Sequence, residues 1–341
     1  MDENDKKRVG SRINKVEPAW SRRRLLVEAG ITTATAAAVG AVGYWGYSSE
    51  AVRHAPQPIL TLKDFRVAAN TLYPSLVVVR GDAVAKMVAE ALTLLGGMQR
   101  FIQRGDRVLL KPNVGWDRQP EQAANTNPEV VAAVAHLCRE AGAAQVWVTD
   151  CSINDPQRSF VRSGIELAAQ QAGATVKLPA SNDFYLTNMH GSLLKNWPVA
   201  RFFHQVDKVI NLPVVKHHSL SGCTVAMKNW YGVLGGQRNR LHQDIHTSIV
   251  DLAAALRPTL TIVDATRVLK RNGPSGGSLD DVALENTLVA GLDEVALDAW
   301  ALPLLELTVT QVPYLAMAEA RGLGTANWRS LHWLERQLGS G

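Results

Sequence analysis

From about residue 76 onward, short apolar runs alternate with segments of helical period. Leu76-Val77-Val78-Val79 is a β-branched run suited to a buried strand, and helical periodicity follows from Ala83 to Leu95. Arg107-Val108-Leu109-Leu110 predicts the next strand, entered at the turn Gly105-Asp106 and stopped by Pro112. Thr126-Asn127-Pro128-Glu129 is a helix start, with a capping side chain, proline in the first turn and an early acid. That helix runs to Gly142, and Val146-Trp147-Val148-Thr149 then predicts a strand ending at Asp150.

The alternation continues with a helix from Phe160 to Ala172, a strand from Thr175 to Leu178 and a strand from Lys208 to Leu212. Residues 180–205 show no regular period. A helix is expected from Ile245 to Leu256, a strand over Thr261-Ile262-Val263-Asp264, and a loop at Gly273-Pro274-Ser275-Gly276-Gly277. Leu288 to Gly291 and a helix from Glu294, interrupted at Pro303, complete the pattern. Strands and helices in alternation define an α/β fold, expected as a mostly parallel sheet with flanking helices.

The N-terminal part follows a different rule. Ser21-Arg22-Arg23-Arg24-Leu25-Leu26 runs into an uncharged stretch from Ala29 to Ser49, the pattern of a twin-arginine export signal. The competing reading is an ordinary signal anchor whose arginines follow the positive-inside rule. The stretch is long enough to span a bilayer, and Tyr44-Trp45-Gly46-Tyr47 fits an interfacial aromatic anchor better than a cleavage site. Residues 1–55 are therefore expected to be a signal or membrane-anchor helix, and residues 56–341 the α/β domain. The twin-arginine translocase and the membrane are the expected partners. The body would lie in the periplasm or at the outer face of the cytoplasmic membrane, N-terminally tethered or released by cleavage.

Composition narrows the classes. The chain carries 36 basic and 31 acidic residues, too mild an excess for a nucleic-acid footprint, and no basic run is interleaved with aromatics. Cys138, Cys151 and Cys223 are widely spaced with no C-x-x-C pair, which argues against a ferredoxin-type iron–sulfur cluster. No nucleophile elbow, kinase set or dinucleotide fingerprint is present.

Open α/β sheets bind ligands at the carboxyl ends of their strands. Four polar groups fall there: Lys111 with Asn113, then Asp150, then Lys216-His217-His218, then Asp264. The segment from Asn211 to Gly236 is the densest, and Lys228 and Asn229 follow the histidines on an apolar helical turn. Histidine exchanges protons near neutral pH or binds metals, and a desolvated lysine becomes nucleophilic. His218, Lys228 and Lys111 are thus candidates for chemistry. Asn113, Lys216, Asn229, Asp150 and Asp264 are candidates for binding a substrate or anion, and His217 with His218 for a metal. His242 and His246 share a face if their segment is helical, a spacing that also suits a metal or a plain surface helix.

The body resembles the family called domain of unknown function 362 (DUF362) from about Leu76 to Gly324. The resemblance rests on Lys111-Pro112-Asn113, Thr126 to Glu129, Asn211-Leu212-Pro213, Lys216-His217-His218, Lys228-Asn229, Gly232, Leu260 to Asp264, Asn272-Gly273-Pro274 and Asp293 to Asp298. It implies the α/β fold and names no reaction. One segment is similar to nickel-dependent lactate racemase, which has a catalytic His, Gly four residues later and Lys ten residues after the His. His218, Gly222 and Lys228 stand at those spacings. That similarity implies a covalently bound nickel-type cofactor on Lys228 and a ligand or proton-transfer role for His218.

The function expected is that of an exported, tethered protein. It binds a transition metal or metal-containing cofactor and moves a proton or hydride on a small anionic molecule. Two alternatives stand beside it. One is a non-catalytic accessory protein of a membrane redox complex; the other is a simple anion-binding protein using Lys111, Lys216 and Lys228.

Overall fold

Strand parity decides which side chains this fold can bring together. The computed structural model describes residues 58–339 apart from residue 69. The arginine pair and the uncharged stretch lie outside the described residues. Among the described residues, no helix is long and apolar enough to cross a membrane.

The described residues begin with β1 (Leu60–Thr61) and β2 (Leu76–Arg80), then α1 (Val84–Leu94), β3 (Arg107–Pro112), α2 (Pro128–Glu140) and β4 (Gln145–Val148). The expected single helix between Phe160 and Ala172 is two, α3 (Pro156–Arg162) and α4 (Ile165–Gln171), because Gly164 turns the backbone to a φ of 73°. Next come β5 (Thr175–Val176), β6 (Phe184–Asn188), β7 (Asn196–Ala200), β8 (Lys208–Leu212), β9 (Val214–His218) and β10 (Gly222–Thr224). After α5 (Ala226–Asn229) and α6 (Ile245–Ala255) come β11 (Leu260–Leu269), β12 (Val282–Gly291), α7 (Glu294–Ala301), α8 (Pro313–Ala320) and β13 (Trp333–Gln337).

The main sheet runs in the order β13-β2-β12-β11-β8-β3-β4-β5, with the β9–β10 hairpin joined to β11. It is mixed, which corrects the expectation of a mostly parallel sheet. β12 is antiparallel to both of its neighbours, β2 and β11. The cause lies in residues 270–281. This Gly/Pro loop holds one short 3-10 turn and no crossover helix, so β12 folds back on β11 as a long hairpin. Residues 184–200, unreadable in sequence, form a small separate sheet in which β6 pairs with β1 and β7.

Helices cover both faces of the main sheet. Val77, Val79, Val108, Leu110, Ile210, Leu212 and Ile262 join a core with α1, α2, α3 and α4. Leu76, Val78, Leu109, Val209, Val263 and Ala265 point the other way, into a core with α6, α7 and α8. Side chains alternate along each strand, so Lys111 shares a face with Leu109, and Asn211 with Val209. Lys111 and Asn211 sit opposite each other in the β3–β8 register. Asp264 has the parity of Ile262 and faces α2.

Candidate functional site

The carboxyl ends of β3 and β4, the β9–β10 hairpin and α5 surround a cavity of about 330 Å³. Lys111 is fully buried in its floor. Its ammonium lies 2.7 Å from Asp150 Oδ1 and donates to Asn229 Oδ1 at 2.9 Å and to the Pro112 carbonyl at 2.8 Å. The other Asp150 oxygen accepts the Val114 N–H at 2.6 Å. Burial lowers the Lys111 pKa, and Asp150 opposes that shift.

Two amides extend this network. Asn229 donates to the Lys111 carbonyl at 3.2 Å and to Asn211 Oδ1 at 2.8 Å. Asn113 donates to Asn229 Oδ1 at 2.9 Å and accepts from the Lys216 ammonium at 2.9 Å. Lys216 also donates to the Ala124 carbonyl at 2.5 Å, and burial brings it down to about 7. Gly232 presses against the ion pair: a Cβ there would sit 1.8 Å from Asp150 Oδ1 and 2.6 Å from Lys111 Nζ. Only glycine leaves room for the pair at this position.

The opposite wall has a different character. Lys228 is 6% exposed, and its ammonium lies 3.8 Å from the centroid of the Tyr231 ring. Among the described residues it forms neither an ion pair nor a hydrogen bond. Burial, Arg238 and Lys111 bring its pKa down to about 7. His218 Nδ1 accepts the N–H groups of Leu220 and Ser221 at 3.2 and 3.4 Å, which assigns the proton of the neutral ring to Nε2. Burial and the neighbouring lysines depress His218 to about 2, so the ring is uncharged at neutral pH. His242 stacks on it with ring centroids 6.2 Å apart. Its Nδ1 faces the Asn239 carbonyl at 3.2 Å, and a carbonyl only accepts. His242 Nδ1 therefore carries the hydrogen and Nε2 the lone pair.

Arg238 closes the cavity on one side. Its guanidinium donates to the carbonyls of Tyr231, Cys151 and Ser152 at 3.1, 2.7 and 2.9 Å. Trp116, Ile153, Leu220 and Pro274 give the cavity apolar surface.

Of the residues expected from sequence, Lys111, Asn113, Asp150, Lys216, His218, Lys228 and Asn229 line this cavity. Asp264 and His217 do not. β11 continues five residues past Asp264, which is fully buried against α2. There it accepts the Asn127 N–H at 2.7 Å and the Thr266 hydroxyl at 2.7 Å, fixing the start of that helix. Burial raises its pKa, and these bonds work against the rise. His217 lies between Lys216 and His218 on β9 and points to the opposite face, so adjacent positions separate the two imidazoles. Its carbonyl packs on Gly273, where a Cβ would approach to 2.0 Å. His242 and His246 also part: His242 lines the cavity, while His246 stacks on Tyr314.

Sequence reasoning missed Trp116, Tyr231 and Arg238 as lining residues. Arg238 lies in an irregular 3-10 segment with no period to signal its direction. Among the described residues, no group of three or more His, Cys, Asp or Glu side chains converges as a metal site.

The model of the family described as a domain of unknown function (DUF362) matches residues 108–303, and the chain belongs to that family. The chain is 32% identical over 237 residues to the thylakoid-associated protein sll1697 of Synechocystis. That match covers 67% of this chain and 72% of the relative. Among solved structures, the lactate racemase apoprotein from Thermoanaerobacterium thermosaccharolyticum aligns with a TM-score of 0.39 at 13% identity. A structural-genomics target from Thermotoga maritima aligns with a TM-score of 0.35 at 11% identity. Each alignment covers 71% of this chain and 60% of the other, so the chain spans less than two thirds of either structure. Likeness at that level carries no functional argument.

Proposed function

We propose that the cavity binds a small organic anion and moves a proton at the carbon next to its carbonyl or carboxylate group. One observation carries this reading. Among the described residues, four basic side chains, Lys111, Lys216, Lys228 and Arg238, line the cavity with a single carboxylate, Asp150, which Lys111 already engages. An anion entering there meets Lys216 and Arg238, neither of which has a carboxylate partner among the described residues.

The two histidines have complementary tautomers for such a reaction. His218 Nε2–H would donate to the substrate oxygen and stabilise charge developing on it. His242 Nε2, with its free lone pair, would accept the proton from carbon. Both are held neutral by burial, as this division of labour requires.

A metal held by protein side chains alone does not fit the described residues, because no sufficient donor group converges. An anionic cofactor that brings its own metal donors fits the same basic lining, with the Lys228 amine as its anchor. Such a group would supply an electron sink. The thylakoid-associated relative supports placement at a membrane, and the arginine pair before an uncharged stretch supports export by the twin-arginine translocase to the periplasmic side.

Calorimetric titration of the full chain with lactate, pyruvate, malate and phosphate tests the binding claim. Lys216→Met is expected to weaken organic-anion binding about tenfold or more, the scale of one lost charge-assisted contact. If no anion binds, or if wild type and mutant bind alike, the reading fails. Deuterium uptake from solvent at the α-carbon of bound lactate or malate then tests the proton transfer, and His242→Gln should slow it about a hundredfold or more.

A further inference from the structure

We propose that Lys228 is a covalent amine centre, forming an imine with the carbonyl carbon of a 2-oxo acid whose carboxylate is held by Lys216. This rests on the anion-binding reading above and adds to it the identity of the substrate class.

The starting point is a disparity in partners. The Lys111 ammonium meets Asp150, Asn229 and the Pro112 carbonyl, and the Lys216 ammonium meets Asn113 and the Ala124 carbonyl. Lys228 is almost as buried and lines the same cavity, but among the described residues its amine lies over the face of Tyr231 and has no hydrogen-bond acceptor. A buried ammonium with no acceptor is costly, whereas a buried neutral amine is much less so. Burial and the nearby cations favour the neutral form, whose lone pair is nucleophilic. The cavity supplies what such an amine needs. Lys216, whose ammonium form is held by the acceptors Asn113 Oδ1 and the Ala124 carbonyl, offers charge for a carboxylate, and the Nε2–H of neutral His218 can hydrogen-bond to a carbonyl oxygen. The volume of about 330 Å³ admits only small molecules.

The step balances without an oxidant or reductant. The Lys228 nitrogen lone pair forms the C–N bond, and the carbonyl π pair moves to oxygen. One amine proton transfers to that oxygen to give the carbinolamine. The C–O bond then breaks, and its oxygen leaves as water with the second amine proton. The nitrogen lone pair closes the C=N bond, and one proton taken up converts the imine to the iminium. In that form the adjacent C–H is acidified, which suits the free lone pair of His242.

The full-chain protein is incubated with pyruvate, glyoxylate or 2-oxoglutarate, reduced with sodium borohydride and examined by intact mass and peptide mapping. The expected result is a mass gain of the acid minus water plus two hydrogens, located on Lys228. Lys228→Arg, which lacks the nucleophilic amine, should trap none while its thermal unfolding stays cooperative. Lactate, which has no ketone, should protect wild type from trapping. Binding of these acids with no adduct on Lys228 overturns the imine and leaves the anion site standing. Absence of any binding overturns both. Native protein that already carries another covalent group on Lys228 overturns the imine in favour of an anchored cofactor.

Discussion

The two walls of the cavity hold the same kinds of side chain under opposite conditions. On the strand-end wall, Lys111, Asp150, Asn113, Asn229 and Lys216 form a continuous network in which each charge meets a partner within 3 Å. On the hairpin wall, Lys228 has no polar partner among the described residues, and His218 accepts two long backbone bonds. The first wall is organised by the protein itself. The second is complete only when something enters the cavity. The residues most ready to react are therefore those the fold has left least satisfied.

The largest expected effect comes from breaking the satisfied wall. Lys111→Met leaves Asp150 buried without its counter-charge, a loss of about 3–5 kcal/mol in unfolding free energy. Gly232→Ala should cost about 1–3 kcal/mol, because its Cβ would collide with both partners of the ion pair. Urea denaturation of the two variants checks this. A loss below about 1 kcal/mol in either would mean that the pair has an easy alternative arrangement.

The same substitution on the other wall should have the opposite sign. Lys228→Met removes a buried amine without stranding any partner, so it is expected to stabilise the protein by about 1–4 kcal/mol at neutral pH and below. The pH dependence follows from linkage. The amine titrates near 7 in the folded protein and at the ordinary lysine value of 10.5 when unfolded. Between those values the unfolded chain binds more protons, so this residue makes wild-type stability rise with pH from about 7 towards 10.5. The mutant lacks that rise, and its advantage should shrink across the window. Thermal unfolding at about pH 6, below the window, and at about pH 8 and 10, inside it, reads this directly. An advantage that is absent at pH 6, or that grows with pH, would show that Lys228 has a partner after all.

Strand ends and strand parity were what the sequence could supply about this site. Lys111 and Asp150 are legible because each sits where a short apolar run stops. Lys216 with His218, and Lys228 with Asn229, are legible because two dense polar pairs flank one glycine-containing turn. Asp264 looks equivalent to Asp150 in sequence, yet β11 does not stop there, since hairpin pairing with β12 extends it to Leu269. That pairing depends on residues far along the chain, and the mixed sheet was hidden for the same reason. His217 was separable by the alternation rule alone once Val214–His218 was known to be a strand. Arg238, Tyr231 and Trp116 reach the cavity from irregular segments whose direction is set by tertiary packing.

The smallest expected effect sharpens the comparison at the seam between the walls. Arg238 belongs to the cation-rich side, yet its guanidinium spans to the loop after β4 through the carbonyls of Cys151 and Ser152. A lysine in its place could satisfy only part of this fork, because an ammonium is a point donor and the planar guanidinium reaches three carbonyls at once. Arg238→Lys should therefore cost about 1 kcal/mol of stability, the scale of one or two lost hydrogen bonds. The charge is kept, so the affinity for a small anion should change little if Arg238 mainly ties the walls together. A large loss of affinity with stability intact would instead place Arg238 among the groups that hold the anion, and the seam would become part of the reactive wall.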